Sequence, residues 1–217
     1  MQILDVCKKR KHLTAICFDV DTADLEVGSE IKRDSRFDKN GCLLLSTEVC
    51  EEAALAMFTK ITNSELLALV EKSDYRRAVS KAAWFLGLRA YSSGELYTKL
   101  LPDFGVTAST AACEKMREHG YIDDEAYARR LAETLINTKG NSKKQAVYKM
   151  LQKGIDKDLA NEIVNDMEID ETAQIAEIIE KKYMNKLDSP EEMKKVTAAL
   201  ARKGFSFESI RRATNKF

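Results

Sequence analysis

Positively charged side chains recur through the second half of the chain, with a spacing that could serve an anionic partner. Between residues 139 and 153, five lysines occur without one acidic residue. Lysine and arginine bind phosphate and carboxylate groups, so runs of them on neighbouring helices could follow a phosphate backbone. The alternative is a solvated helix face, which is the usual role of an isolated charge run. The candidate filament- or DNA-binding residues are Arg89, Arg129, Arg130, Lys139, Lys143, Lys144, Lys149, Lys153, Lys194, Lys195, Arg202, Lys203, Arg211 and Arg212.

Other features that could bind nucleic acid are weaker. Only Tyr148 and Tyr183 lie among the basic runs, which argues against a platform that stacks single-stranded bases. The basic turn Lys8–Lys11 could contact phosphate, but a solvated hairpin turn is the favoured interpretation.

The sequence lacks four common catalytic or phosphate-binding motifs. The sequence has no phosphate-binding loop of the form G-x-x-x-x-G-K-[ST], no G-x-G-x-x-G, no H-E-x-x-H and no G-x-S-x-G. The neighbouring carboxylates Asp123 and Asp124 could bind a metal ion or act as acid and base, but their position is more typical of a helix start. We therefore expect no catalytic residue, no cofactor and no metal, and a protein that is not an enzyme.

Composition gives few further restrictions on function. Lysine plus arginine and aspartate plus glutamate each number 35 among 217 residues, so net charge alone favours no partner. The five cysteines are odd in number and include no C-x-x-C pair, which predicts reduced, structural thiols and neither a disulfide framework nor a zinc site. No apolar run is long enough for a signal peptide or a membrane span, so we expect a cytoplasmic protein with no membrane contact.

The stretch Glu114–Leu131 predicts a helix, a tight corner and a second helix. Gly120 stands where a helix ends in a left-handed residue, and Tyr121 is placed to fold back on Met116. Asp123 is the expected N-cap of the next helix. Ile122 and Tyr127 have the spacing of a hydrophobic staple.

An internal repeat extends this pattern. Glycine, an apolar residue and an N-cap residue follow one another at Gly105–Thr107, Gly154–Asp156 and Gly204–Ser206, with the glycines about 50 residues apart. A polar helix start precedes each string, and a longer helical segment precedes each start. The unit is therefore three helices, used three times, and stacked units of this kind give an elongated body.

The predicted fold is mainly α-helical, an elongated tandem array of three three-helix repeats preceded by a small β-containing N-terminal domain. Strands are expected at Gln2–Lys9, Leu13–Asp19, Ile31–Phe37 and Cys42–Leu45, with a hairpin turn at the Asn-Gly pair between the last two. The expected divisions are a β-rich domain at 1–60, a connecting helix at 61–72, and helical repeats at about 73–120, 121–169 and 170–217.

Three local predictions refine the region before the first repeat. Thr47 is expected to cap a short helix that reaches about Ala56. Asp74 is expected to start a separate helix that reaches Arg89. Trp84, the only tryptophan, is expected to belong to the core and not to a binding platform.

Four motif blocks together resemble the RecX family of bacterial recombination regulators. The sequence MREHGYIDDEAYA at Met116–Ala128 resembles the signature region of that family. The likeness continues through SSGELYTKL at Ser92–Leu100, KGNSKKQAVYKMLQKGI at Lys139–Ile155 and LARKGFSFESI at Leu200–Ile210, and it covers roughly 73–217. Where many members carry arginines in the central basic segment, this chain has Lys143 and Lys144, which keep the charge but lose bidentate recognition.

The resemblance implies a non-enzymatic modulator that binds RecA and, in particular, the RecA–single-stranded DNA filament. Family members typically inhibit the recombinase, ATPase and coprotease activities of RecA, so the expected context is recombination, repair and the SOS response. We expect a monomer with at most weak direct DNA binding. The alternative is a free-standing helical DNA-binding protein that acts without RecA, because short helices with tight corners also build DNA-reading modules.

Overall fold

The protein folds as two compact units, Met1–Ile122 and Asp123–Phe217. A computed structural model describes residues 1–9, 12–21, 24, 25, 27, 36–184 and 189–215. The strands are β1 (Ile3–Lys8), β2 (Leu13–Phe18) and β3 (Leu43–Ser46). The helices are α1 (Thr47–Glu52), α2 (Asn63–Leu88), α3 (Ser93–Glu118), α4 (Asp124–Glu133) with a π-helical turn (Thr134–Thr138), α5 (Lys143–Gln152), α6 (Lys157–Asp166), α7 (Glu171–Lys182), α8 (Pro190–Arg202) and α9 (Phe207–Thr214).

The first unit begins with an antiparallel sheet of order β1-β2-β3. Ile16 of β2 and Leu43 and Leu45 of β3 are buried, and they share one core with Leu66 and Val70 of the first half of α2. The predicted turn forms: the Asp38 carboxylate accepts hydrogen bonds from the backbone of Asn40 and Cys42, and Gly41 has φ +76°. Residues 31–35 of the predicted third strand, and Arg10 and Lys11 of the basic turn, lie outside the described residues.

The expectation that all cysteines are reduced thiols is wrong, because Cys17 and Cys42 form a disulfide. The register that pairs Ile16 with Leu43 places these two cysteines opposite each other, with Cα atoms 4.5 Å apart. A separation of 25 residues hid this contact in the sequence. Among the described residues Cys7, Cys50 and Cys113 remain free thiols, and burial raises the pKa of Cys50 to about 11.

Two predicted helix starts before the first repeat are also wrong. Ser46, not Thr47, is the N-cap of α1, and that helix ends at Glu52. The predicted break before Asp74 does not exist, since α2 runs without interruption from a capping box between Thr62 and Glu65. Asp74 is instead buried in the middle of α2, where its carboxylate pairs with the Arg36 guanidinium at 2.8 Å.

Trp84 does not belong to the core, contrary to prediction. Its side chain is 59% exposed, and Leu88, one helical turn later, is 62% exposed. The buried stripe of this part of α2 consists of Ala78 and Ala82, so the indole lies on a different face of the helix.

The helical part of the chain has three separate apolar cores. The second half of α2 packs with α3, which bends at Gly105 (φ +68°) into two helical segments. A second core joins α4, the π-helical turn, α5 and α6, and a third joins α7, α8 and α9. The mainly helical class, with three-helix repeats after a small sheet, is thus confirmed. No helix within the described residues is both long and apolar enough to span a membrane.

The predicted corner at Glu114–Leu131 forms with two changes. Gly120 has φ +72°, the Tyr121 backbone N–H donates to the Met116 carbonyl, and the Asp123 carboxylate caps α4. The Tyr121 ring is 67% exposed, however, so Ile122 rather than Tyr121 joins the core that contains Met116. Tyr127 packs against the core of the second three-helix group. The two residues of the predicted staple, Ile122 and Tyr127, therefore belong to different cores.

The Gly–apolar–cap strings of the last two repeats form as predicted. Gly154 and Gly204 have φ +71° and +87°, and the apolar residues after them, Ile155 and Phe205, are buried. In the first copy Val106 is half exposed, because the bend at Gly105 continues directly into the second segment of α3.

Candidate functional site

Several of the candidate cations are engaged in ion pairs within the chain. Arg89 makes a bidentate pair with Glu95 (2.8 and 3.0 Å) and stacks on the Tyr91 ring at 3.5 Å. On other helices, Arg129 pairs with Glu125, Lys195 with Glu192 and Arg212 with Glu208. Exposed pairs of this kind are weak, so these cations could exchange their carboxylate partners for another anion. They do not form a preorganised site.

A second group of candidates meets at the loop that follows the π-helical turn. Gly140 allows the chain to reverse with φ +60°, and Asn141 is buried with its side-chain amide donating to the Leu135 carbonyl at 2.9 Å. Ser142 then caps α5 by accepting from the backbone N–H of Gln145. The loop is therefore held from within by its own polar residues.

The third three-helix group holds the same loop from outside. The Ser142 N–H donates to the Lys203 carbonyl at 3.0 Å, and the Lys203 ammonium donates to the Lys139 carbonyl at 2.5 Å. Gln174 of α7 adds hydrogen bonds to the carbonyls of Ile136 and Asn141. All of these groups lie in the second compact unit, and they fix the positions of the lysines around the loop.

Four ammonium groups surround this loop, and we call Lys139, Lys149, Lys182 and Lys203 the lysine cluster. Lys149 donates to the Asn141 side-chain oxygen at 3.1 Å, while Lys139, Lys182 and Lys203 line a cavity of about 410 Å³ between the loop and α7. The pKa of Lys203 is lowered, first by burial and then by the charges of Lys182 and Lys149. In the part of the chain that the structure describes, none of the four forms an ion pair with a carboxylate.

Three acidic side chains, Glu168, Asp170 and Glu177, also line this cavity, and two of them have partners within the chain. Asp170 caps α7 by accepting from the backbone of Thr172 and Ala173. Glu177 pairs with Lys181 one turn later. Lys182 and Lys149 repel the Lys203 ammonium, and an anion would relieve this repulsion. Phosphate and carboxylate groups are the anions that lysine binds.

The structure thus brings together Lys139, Lys149 and Lys203 from the candidate residues and adds Lys182, which the sequence reasoning missed. Lys182 stands at the end of α7 beside acidic neighbours, so no charge run marked it; its position in a basic last turn was the available signal. Lys143 is turned away, because its ammonium donates to the Met167 carbonyl at 2.5 Å. The remaining candidates are exposed or half-buried on α4, α5, α8 and α9: Arg130, Lys144, Lys153, Lys194, Arg202 and Arg211.

The described residues offer no metal site, because no group of three or more histidine, cysteine or acidic side chains among them could hold a metal ion.

Comparison with known proteins places two parts of the chain in named domains. Residues 123–163 match the family model for the second three-helix domain of RecX, and residues 168–214 match the model for the third. These ranges contain the helices of the second and third apolar cores, except for the last turn of α6.

Whole-chain comparisons agree with those matches. The regulatory protein RecX of Chlorobium phaeobacteroides (strain BS1) is 32% identical over 141 residues, which are 64% of this chain and 92% of that protein. The regulatory protein RecX of Clostridioides difficile (strain 630) is 24% identical over 72% of this chain and 76% of its own length. A crystal structure of regulatory protein RecX, 18% identical, covers 99% of this chain and 98% of its own with a TM-score of 0.59, which shows a shared fold.

Proposed function

The chain belongs to the RecX family of regulatory proteins, and we propose that it binds RecA and the RecA–single-stranded DNA filament and inhibits the recombinase, ATPase and coprotease activities of the filament. The observation that carries this proposal is the 32% identity to a regulatory protein RecX across nearly all of that protein's length. In this role the chain acts without catalysis, as a monomer in the cytoplasm, during recombination, repair and the SOS response.

The proposed architecture suits a filament partner. We divide the chain into an N-terminal domain at 1–60, a connecting segment at 61–72 that forms the first part of α2, and repeats at about 73–120, 121–169 and 170–217. Tandem repeats of this kind would let one chain contact more than one subunit of a helical filament.

The lysine cluster supports a contact with the nucleic acid of that filament. The loop at Lys139–Ser142 fixes the ammonium groups of Lys149 and Lys203, and none of the four lysines has a carboxylate partner among the described residues, so phosphate binding would cost little reorganisation. The ion-paired candidates Arg129, Lys195 and Arg212 would have to release their carboxylates first. We therefore assign the main phosphate contact to the cluster.

The rival function is direct DNA binding without RecA, and the basic surface is the observation that favours it. Binding of the purified chain to a fluorescent single-stranded oligonucleotide, bare or coated with RecA, separates the two. We expect the coated strand to bind at least about tenfold more tightly at physiological salt. Tight binding to the bare strand, with a steep loss of affinity as salt rises, would favour the rival instead.

A further inference from the structure

A second cavity lies in the first compact unit, and the exposed tryptophan is part of its lining. It has a volume of about 780 Å³, and its walls come from α2, the bend of α3 and the ends of the sheet strands. Trp84, Phe104 and Leu13 provide its apolar surface, while Arg77 and Ser80 of α2 also line it. The lysine cluster lies in the other unit, so this cavity is separate from the site described above.

The Arg77 guanidinium in this cavity is poorly paired. Its side chain is 21% exposed, and its only hydrogen bond among the described residues is a long one, 3.5 Å to the Leu44 carbonyl. Asp74 is 3.9 Å away and is already paired with Arg36, and the Phe104 ring lies 5.7 Å below. A guanidinium has five N–H donors, and no Arg77 nitrogen is among the buried unpaired atoms of the described residues, so its other donors reach solvent and can take an added partner. Burial lowers the pKa of Arg77.

The charges around Arg77 select for a single anion. Arg76 is paired with Glu48 and Glu52, and Lys81 is paired with Asp103. A polyanion such as a nucleic-acid strand would meet these carboxylates, which disfavour it by like-charge repulsion. One carboxylate, on the other hand, matches the planar fork of one guanidinium.

The mouth of the cavity adds an apolar requirement. Trp84 is 59% exposed and lines the cavity together with Arg77 and Ser80. Its ring contacts the Phe85 ring at a centroid distance of 5.0 Å. Tryptophan and arginine are the residues that most often anchor protein–protein interfaces, because they combine large apolar area with directed hydrogen bonds. The occupant therefore needs an apolar side chain beside its carboxylate.

We propose that the cavity between Trp84 and Arg77 docks a segment of a partner protein in which one acidic side chain lies next to an apolar one. The carboxylate pairs with the Arg77 guanidinium, and the apolar side chain covers the Trp84 indole. The inference rests on the proposed function only in that the RecA filament would supply this segment.

The single tryptophan allows a direct test on the full chain. Biosynthetic 5-fluorotryptophan gives one ¹⁹F NMR resonance, which reports on Trp84 alone. The probes are the capped peptide acetyl-Leu-Glu-Phe-amide, its Leu-Gln-Phe counterpart and oligothymidine. We expect the glutamate peptide to shift the resonance saturably with a Kd of about 1 mM, as suits a fragment of this size. The glutamine peptide should bind about tenfold more weakly.

Ser80→Glu provides a variant that keeps the fold. It places a carboxylate three residues after Arg77 on α2, so it should occupy the guanidinium, raise the thermal midpoint and abolish the shift caused by the glutamate peptide. Ala83→Glu, which adds the same charge to an exposed position of α2 outside the cavity, is the matched control and should bind the peptide like the unmodified chain.

Other results would overturn the proposal. Equal shifts with the glutamate and glutamine peptides would remove the carboxylate requirement, and a shift with oligothymidine alone would assign the cavity to nucleic acid. No shift with any probe would leave Trp84 as a solvated side chain. If RecA inhibition persists while the resonance stays unmoved by RecA filament, this inference fails and the proposed function stands.

Discussion

Gly204 and Gly120 end helices in the same left-handed conformation but have different surroundings. Their φ angles are +87° and +72°. A Cβ on Gly204 would lie 2.5 Å from the Ser142 hydroxyl oxygen and 2.8 Å from the Gln145 Cβ, whereas a Cβ on Gly120 would have no atom within 4 Å. The first glycine therefore serves both backbone conformation and close packing beside the lysine cluster, and the second serves conformation alone.

Alanine substitutions should separate these two roles. Gly120→Ala should cost about 1 kcal/mol of unfolding free energy, since only the left-handed backbone is penalised. Gly204→Ala should cost about 2 to 4 kcal/mol, because the new methyl group also displaces the Ser142 cap of α5. Urea unfolding followed by circular dichroism measures both. Equal losses would mean that the contact between Gly204 and Ser142 does not constrain the loop.

At this scale, residues whose role depends on near neighbours in sequence were predictable, and the others were not. The caps Asp123, Asp156 and Ser206 followed from local pattern, because a cap satisfies backbone groups two or three residues away. The Cys17–Cys42 disulfide and the exposure of Trp84 depend on which strand or helix comes to lie opposite, and no local pattern contains that information.

Among the elements, α2 shows how a tertiary contact overrides a local signal. Asp74 follows Ser73 in a sequence typical of a helix start, yet both residues are buried within one continuous helix. The Asp74 carboxylate pairs with the Arg36 guanidinium, whereas at a helix start it would have accepted hydrogen bonds from backbone N–H groups. The repeat pattern of glycine, apolar residue and cap predicted the later helices correctly, because those helix ends depend on local geometry.

The Arg36–Asp74 pair should behave as a buried ion pair. Arg36→Met leaves the buried Asp74 carboxylate with the more distant Arg77 guanidinium, at 3.9 Å, so we expect a loss of about 3 to 5 kcal/mol in unfolding free energy at neutral pH. Replacing both residues, as Arg36→Met with Asp74→Leu, should return stability to within about 1 kcal/mol of the original. Glu177→Gln, which breaks an exposed pair, is the control and should have no measurable effect.

The pH dependence of the pair gives an independent check. Burial raises the pKa of Asp74, so the native protein takes up this proton at a higher pH than the unfolded chain. The carboxyl group therefore contributes most to stability at low pH, and its contribution is lost as the pH rises through its native pKa. This slope should disappear in the double variant. A loss that instead deepens on acidification would show that ionised Asp74 stabilises the fold.

For the whole molecule, the sequence predicted the kind of fold but not how the candidate lysines are arranged. Runs of lysine drew attention to the surface after Lys139, and the motif blocks identified the family. The sequence did not indicate that Lys143 turns to a backbone carbonyl, that Arg89 is held by Glu95, or that Lys182 joins the cluster. The place of Lys182 depends on the packing of α7 and the α8–α9 corner against one loop, and the other two depend on partners elsewhere in the chain.

ATP hydrolysis by RecA on single-stranded DNA, followed as this chain is added, tests the proposed regulation most directly. The matched variants each remove two positive charges: Lys139→Gln with Lys182→Gln in the cluster, and Lys195→Gln with Arg212→Gln at paired sites. We expect the unmodified chain and the paired-site variant to suppress hydrolysis alike, and the cluster variant to need about tenfold more protein. Hydrolysis that is unchanged when the unmodified chain exceeds the filament would contradict the proposed function. Equal potency of all three proteins would remove the lysine cluster from it.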